Sequence, residues 1–144
     1  MRLWLVRGGR YGEREAEALA SNALVPGFDE VGDLSQAGSK DDLRGILETS
    51  LPEATTGRIK NFTNQLWQFL HTIQAGDLVI MPRKNTGFVA VAEVTGPYKF
   101  RPQSPAYRHR RTVDWIKTDI QRSLFKQDLI HSFWRLYDDL RNRT

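Results

Sequence analysis

The sequence predicts an α+β domain in which helices flank a strongly curved mixed sheet or small barrel. Three observations carry this. Between Gly76 and Trp115, short apolar runs are punctuated by Gly and Pro at the spacing of antiparallel strands. Just before them, Ile59, Phe62, Leu66, Phe69, Leu70 and Ile73 recur at three- and four-residue intervals until Gly76 stops the pattern, as in one long amphipathic helix. Finally, 144 residues of which 40% are hydrophobic suffice for one well-packed domain and are too few to presume two.

Taken in order, Arg2-Leu3-Trp4-Leu5-Val6-Arg7 is a nearly continuous apolar run ending at Gly8-Gly9, as for a strand leaving through a permissive turn. Residues 11–22 are rich in Glu and Ala and predict a first helix. Leu24-Val25-Pro26-Gly27-Phe28 reads as a short edge strand, and residues 29–38 as a polar loop. Ser39 followed by Asp42 is a helix-start signal ahead of Leu43, Ile46 and Leu47, and Leu51-Pro52 ends that helix. On the long helix Trp67 lies off the apolar stripe, so it either covers a second layer or stands exposed.

Gly76-Asp77 then turns into the strand Leu78-Val79-Ile80-Met81-Pro82, and a basic tip at Arg83-Lys84 leads into a second apolar run, residues 88–94, which Thr95-Gly96-Pro97 breaks. Tyr98-Lys99-Phe100-Arg101 alternates aromatic and basic residues. Arg108-His109-Arg110-Arg111 enters a last strand, residues 112–116, and Asp119 begins a final helical region striped by Leu129, Phe133, Leu136, Tyr137 and Leu140. The whole of 1–144 is thus one domain, with a core of about residues 1–118 and a C-terminal helical region of about 119–144.

Composition removes several chemistries. There is no cysteine, which excludes disulfides, thiolate metal sites and a cysteine nucleophile. No signal-peptide pattern opens the chain and no apolar run approaches the ~20 residues of a membrane span, so a soluble, cytoplasmic protein with no membrane partner is expected. The three histidines, His71, His109 and His131, lack the spacing and acidic neighbours of a metal site, and there is no phosphate-loop or nucleophile-elbow motif. Asp114-Trp115-Ile116-Lys117 is the nearest approach to a nuclease motif and has no convincing second carboxylate. A non-catalytic binding domain is expected, with no cofactor and no metal.

Charge points to a partner. Residues 83–126 hold ten Lys/Arg against three Asp/Glu, in a chain whose net charge is only +4. A basic segment on an acidic background is the footprint of a phosphate-rich ligand, or a solvated face without one. Arg83, Lys84, Lys99, Arg101, Arg108, Arg110 and Arg111 fall in or beside the loops of the predicted sheet, and Arg58 and Lys60 begin the long helix. Tyr98, Phe100 and Tyr107 interleave with them, as aromatic residues do in single-strand grooves, and Trp67 is a further stacking candidate. Trp4 and Trp115 are expected in the core; His109 either contacts phosphate or has a structural role.

The segments 3–9, 27–35, 61–69, 76–79 and 109–115 together resemble the N-terminal specificity domain of Mrr-type and related modification-dependent restriction endonucleases. That domain is in turn similar to the EVE, YTH and PUA-like modified-base readers. The resemblance covers about residues 1–118 and rests on the order of short motifs; it departs at Phe28, where the family usually has tryptophan. It implies a pseudobarrel whose cleft accepts one modified base, a methylated cytosine or adenine or a related modification, flipped out of double-stranded DNA. It also implies a restriction or defence system of type IV kind, with cleavage on a separate nuclease domain or subunit.

By position in the resemblance, Arg7, Gly8, Phe28 and Asp29 line the cleft. Phe28 would be a stacking wall, Asp29 an acceptor for an exocyclic amine, and the Gly8 N–H a donor to a ring acceptor. The residues themselves leave plainer roles open: Phe28 in the core, Asp29 as a turn acceptor, Gly8 as a turn glycine. An RNA-binding PUA-like domain, or a free-standing nuclease or nucleotide-sensing regulator, remain the alternatives.

Overall fold

The computed structural model describes residues 2–9, 11–104 and 106–124. It is an α+β arrangement of one mixed five-stranded sheet and three α-helices: β1 (Leu3–Leu5), α1 (Glu15–Ser21), β2 (Ala23–Leu24), α2 (Lys40–Ser50), α3 (Thr56–Trp67), β3 (Leu78–Pro82), β4 (Phe88–Phe100) and β5 (His109–Gln121). The strand order is β1-β3-β4-β5-β2. β1 runs parallel to β3 and the other neighbours are antiparallel. The sheet is not closed: β1 and β2 stand at its two edges.

β3 and β4 read as continuous apolar runs because both of their faces are buried. Leu78, Ile80, Val89, Val91 and Ile120 gather on one face. Val79, Ala92, Val94, Val113 and Leu24 pack on the other against Phe69 and Ile73. A helical layer lies beyond, where Leu43 and Leu47 of α2 meet Ile59 and Leu66 of α3 over the loop residues Val31, Leu34 and Ala37. Helix α2 starts where predicted, with the Ser39 hydroxyl accepting the Asp42 N–H at 3.0 Å, and Thr55 caps α3 in the same way through Arg58 N–H.

Three sequence expectations change. The strand predicted to break at Thr95-Gly96-Pro97 continues as one 13-residue strand. Proline can lie there because the ladder jumps from Val94 opposite Val113 to Tyr98 opposite Arg111, so a bulge faces Thr112 and no N–H is needed from Pro97. The second strand ends at Leu24, because Gly27 and Phe28 both take positive φ, 94° and 61°. Asp119 does not begin a helix; β5 runs on to Gln121, with buried Ile120 opposite Val89. The proposed C-terminal stripe at Leu129, Phe133, Leu136, Tyr137 and Leu140 lies outside the described residues.

The long helix also changes form. After Trp67 a π-turn spans Gln68–Thr72, and the Ile73 N–H reaches back to Gln68 O rather than to Phe69 O. That leaves the Phe69 carbonyl without its helical partner. Arg111, only 4% exposed, supplies one: Nη1 donates to Phe69 O and Ile73 O at 2.8 Å each, and Nε donates to Gly96 O on the bulge. Burial pushes its pKa down from the usual arginine value. At the opposite sheet edge Asp77 accepts from Arg2 N–H, Trp4 Nε1–H and Gln74 N–H, pinning β1 to β3. Burial alone would raise the Asp77 carboxyl; these donors, Gln74 first, outweigh it and hold it below the usual range.

Arg111→Leu strands the buried carbonyls of Phe69 and Ile73 and the partly buried one of Gly96, and is expected to cost about 2–6 kcal/mol of folding stability in urea denaturation, each buried orphan contributing roughly 1–3 kcal/mol. Leu43→Ala, at a fully buried position, is expected to cost about 2–5 kcal/mol. Equal stability of the Arg111 variant and the wild type would show that the guanidinium does not hold the π-turn.

Candidate functional site

A cavity of about 360 Å³ opens where the chain leaves the two sheet edges. Leu5, Val6 and Arg7 come from the end of β1, and Pro26 and Phe28 follow β2. In a flat sheet these edges would stand about 19 Å apart, four inter-strand spacings of ~4.8 Å; here their continuations line one hollow. Leu66, Phe69 and Ile73 of the α3 segment form its floor, and Gln65, Gln68 and Arg14 add polar groups. Its size falls in the range of small-ligand sites.

Phe28 is the built feature of this cavity. Its φ of 61° is left-handed, a region that bulky residues avoid at a cost of about 1–3 kcal/mol. The fold holds it there through His109, which is fully buried. His109 Nε2 lies 3.0 Å from both Phe28 O and Val31 O. Carbonyls only accept, so Nε2 carries the proton and Nδ1 accepts the Tyr98 hydroxyl at 2.7 Å. The same hydroxyl oxygen accepts the Leu34 N–H. The Phe28 ring is set edge-on against Phe62, centroids 5.1 Å apart. Burial lowers the His109 pKa below 6.5, and burial raises Tyr98 to about 12.

Arg14 was not foreseen from the sequence. Its Nε donates to Val25 O, Nη1 pairs with Glu13 at 3.3 Å, and the guanidinium lies over Gly27, where a Cβ would sit 3.0 Å from Cζ. Gln65 was missed as well, although Arg58, Phe62 and Gln65 share one face of α3 at i, i+4 and i+7. That polar and aromatic face beside the apolar stripe was the available signal. A second hollow of about 730 Å³ shares Arg14, Pro26, Phe28 and Gln65 with the first, and adds Glu30, Glu53, Arg58 and Phe62.

Of the four predicted pocket residues, Arg7 and Phe28 line the smaller cavity. Gly8 and Asp29 do not. Gly8 is buried under α1, where a Cβ would lie 2.6 Å from Glu15 Cγ, and its carbonyl accepts the Arg14 N–H; the neighbouring Gly9 reaches the cavity instead. Asp29 is a turn acceptor: Oδ1 takes the Tyr107 N–H, and its carbonyl takes Arg108 Nη1. It thereby ties the loop after β4 to the Phe28 wall.

The predicted basic set divides. Arg7, Arg58, Lys84, Lys99 and Arg101 are exposed, and so is Lys60, which faces a different groove between α2 and α3. Arg108 is half-buried and lies over the Phe100 ring at 5.2 Å. Arg83 donates to Thr118 O and faces the buried Glu15 at 3.7 Å. Two assignments are corrected: Arg110 and Arg111 are each 4% exposed and cannot face a phosphate. Arg110 instead binds Glu17 at 2.6 Å, joining β5 to α1, and is the first cause of that carboxyl's lowered pKa.

The aromatic set divides likewise. Tyr98 is committed to His109, and Phe100 packs beside the same imidazole. Tyr107, at φ 64°, packs against the α1 cluster. Trp67 covers the helical layer and lies tilted against His71, centroids 4.1 Å apart. Trp4 and Trp115 are partly buried against the core, and each indole N–H has a partner, Asp77 and Ala18 O. Among the described residues no cluster of three or more His, Asp or Glu could hold a metal ion, and no helix is long and apolar enough to cross a membrane.

The clamp has a pH signature. A histidine whose folded pKa is depressed contributes stability that is full above about pH 6.5 and falls as pH drops below that value. Tyr98, raised to about 12, contributes stability that falls as pH climbs above 10. The melting temperature is therefore expected to decline on both sides, and His109→Asn should remove the acid-side decline attributable to this group. A wild-type profile flat below pH 6.5 would contradict the buried neutral imidazole.

A protein-family model described as Domain of unknown function (DUF8426) matches residues 4–133. No curated protein and no solved structure matches the chain.

Proposed function

We propose that this chain, which belongs to the DUF8426 family, is a non-catalytic DNA-binding module that reads a modified base unstacked into the Arg7–Phe28 cavity. One observation supports this above the others: two opposite sheet edges converge on a single hollow whose aromatic wall is held in a strained backbone conformation. Strain of that kind collects at ligand sites because the surrounding structure must over-determine it. On this reading the bent open sheet is the counterpart of a PUA-like pseudobarrel. The sequence resemblance to modification-dependent restriction domains is what suggests a role in restriction or defence, with cleavage on a separate domain or subunit, in the cytoplasm.

The physics of the reading is simple. Unstacking a base costs a few kcal/mol, and stacking on an aromatic face returns about 1–3 kcal/mol. Phe28 supplies the face, and Gln65, Gln68 and Arg7 supply edge-directed donors and acceptors. The exposed cations, Lys84 and Arg101 among them, supply affinity for phosphate that carries no base information. Asp29 and Glu15 support both flanks: Asp29 holds the Tyr107–Arg108 segment, and Glu15 accepts the Lys84 N–H at 2.8 Å.

Binding of modified and unmodified duplexes at one stated salt concentration tests this. Phe28→Ala is expected to reduce the preference for modified DNA by about ten- to hundredfold, since 1.4 kcal/mol is a factor of ten. Lys84→Ala with Arg101→Ala should weaken both duplexes alike. Equal loss on both duplexes from Phe28→Ala, in a protein that still folds, would refute the base pocket; tighter binding to single-stranded RNA than to either duplex would favour the RNA-binding alternative.

A further inference from the structure

The second hollow has no role in reading a single base, yet it adjoins the first and shares four lining residues with it. The two share Arg14 and Phe28 as a common wall, and the second is deepened by the connection between α2 and α3. We infer that the pair is a dinucleotide site, with the larger compartment receiving the base adjacent to the unstacked one. The inference rests on the proposed function and extends it to sequence context.

Charge and spacing support this occupant. Consecutive nucleotides are joined by one phosphate, and the one cation common to both compartments is Arg14. Its guanidinium is held by the bond to Val25 O, the 3.3 Å pair with Glu13 and its packing on Gly27, and as a side chain that lines both compartments it is the cation available to a phosphate linking them. Beyond Arg14 the larger compartment carries the carboxylates Glu30 and Glu53 as well as Arg58. Two carboxylates repel a phosphate, but they accept hydrogen bonds from an exocyclic amine. Arg58 is held over the Phe62 ring at 5.4 Å, which leaves the edge of its guanidinium to meet a base acceptor or the next phosphate. A base bearing an amino group fits this lining; thymine, which has none, fits it least.

Short duplexes carrying the modified base, with each of the four bases placed in turn on its 5′ or 3′ side, test the inference. On one side only, thymine is expected to bind about tenfold or more weakly than adenine or cytosine. Glu30→Ala combined with Glu53→Ala should bring the four bases to within about twofold of one another, a change smaller than one good base contact. Wild-type protein that prefers the modified duplex yet binds all flanking bases equally would overturn the second compartment and leave the first standing. Loss of any preference for modified DNA would overturn both.

Discussion

One buried imidazole ties the sheet, the helical layer and the cavity together. His109 lies on β5, takes the hydroxyl of Tyr98 from β4, and donates to two carbonyls of the loop that carries Phe28. Through the Tyr98 oxygen it also orders Leu34, part of the core beneath α2 and α3. Each polar atom of the His109–Tyr98–Leu34 relay is satisfied only while the ring is neutral. A second proton on Nδ1 would face an oxygen that already accepts from Leu34, and would leave the tyrosine proton without an acceptor. The left-handed backbone at Phe28 is thus the consequence of a network anchored in the sheet.

The basic residues show why composition is a coarse guide to partners. Arg110 and Arg111 are adjacent in a run that also contains Arg108, and by count all three belong to one positive patch. Residues 110 and 111 point to opposite faces of β5, and each face has its own partner: the half-buried Glu17 on α1 for one, the freed carbonyls of the π-turn for the other. The π-turn in turn presents Gln68 and Phe69 to the cavity. A departure from regular helix therefore shapes the site, and an arginine that reads as a phosphate ligand makes that departure tolerable.

Local signals were readable wherever the chemistry is local. The Ser39–Asp42 cap, the stripe from Ile59 to Leu66 and the two-faced apolar strands depend on near neighbours, and they appear where spacing puts them. Arg7 and Phe28 could be paired only through the resemblance, because no periodicity says that opposite sheet edges converge. What stayed hidden depends on distant contacts. The bulge at Gly96 needs Thr112 and Arg111 across the ladder, and the extension of β5 needs Val89 as partner to Ile120. Arg14 needs the backbone of Gly27. Asp29 reads as a base acceptor only by its place in the resemblance, whereas the fold gives it the turn-acceptor role that its residue type also allows, with its carboxylate on the Tyr107 N–H.

A base pocket in this cavity requires that a base leave the stack when the protein binds. A fluorescent base analogue at the modified position of a duplex, dim while stacked, reports that directly. Saturating amounts of the protein are expected to brighten the analogue at that position and to leave one placed several base pairs away unchanged. A signal that stays dark at the modified position, under conditions where binding is complete, would contradict the cavity's assignment as a base pocket.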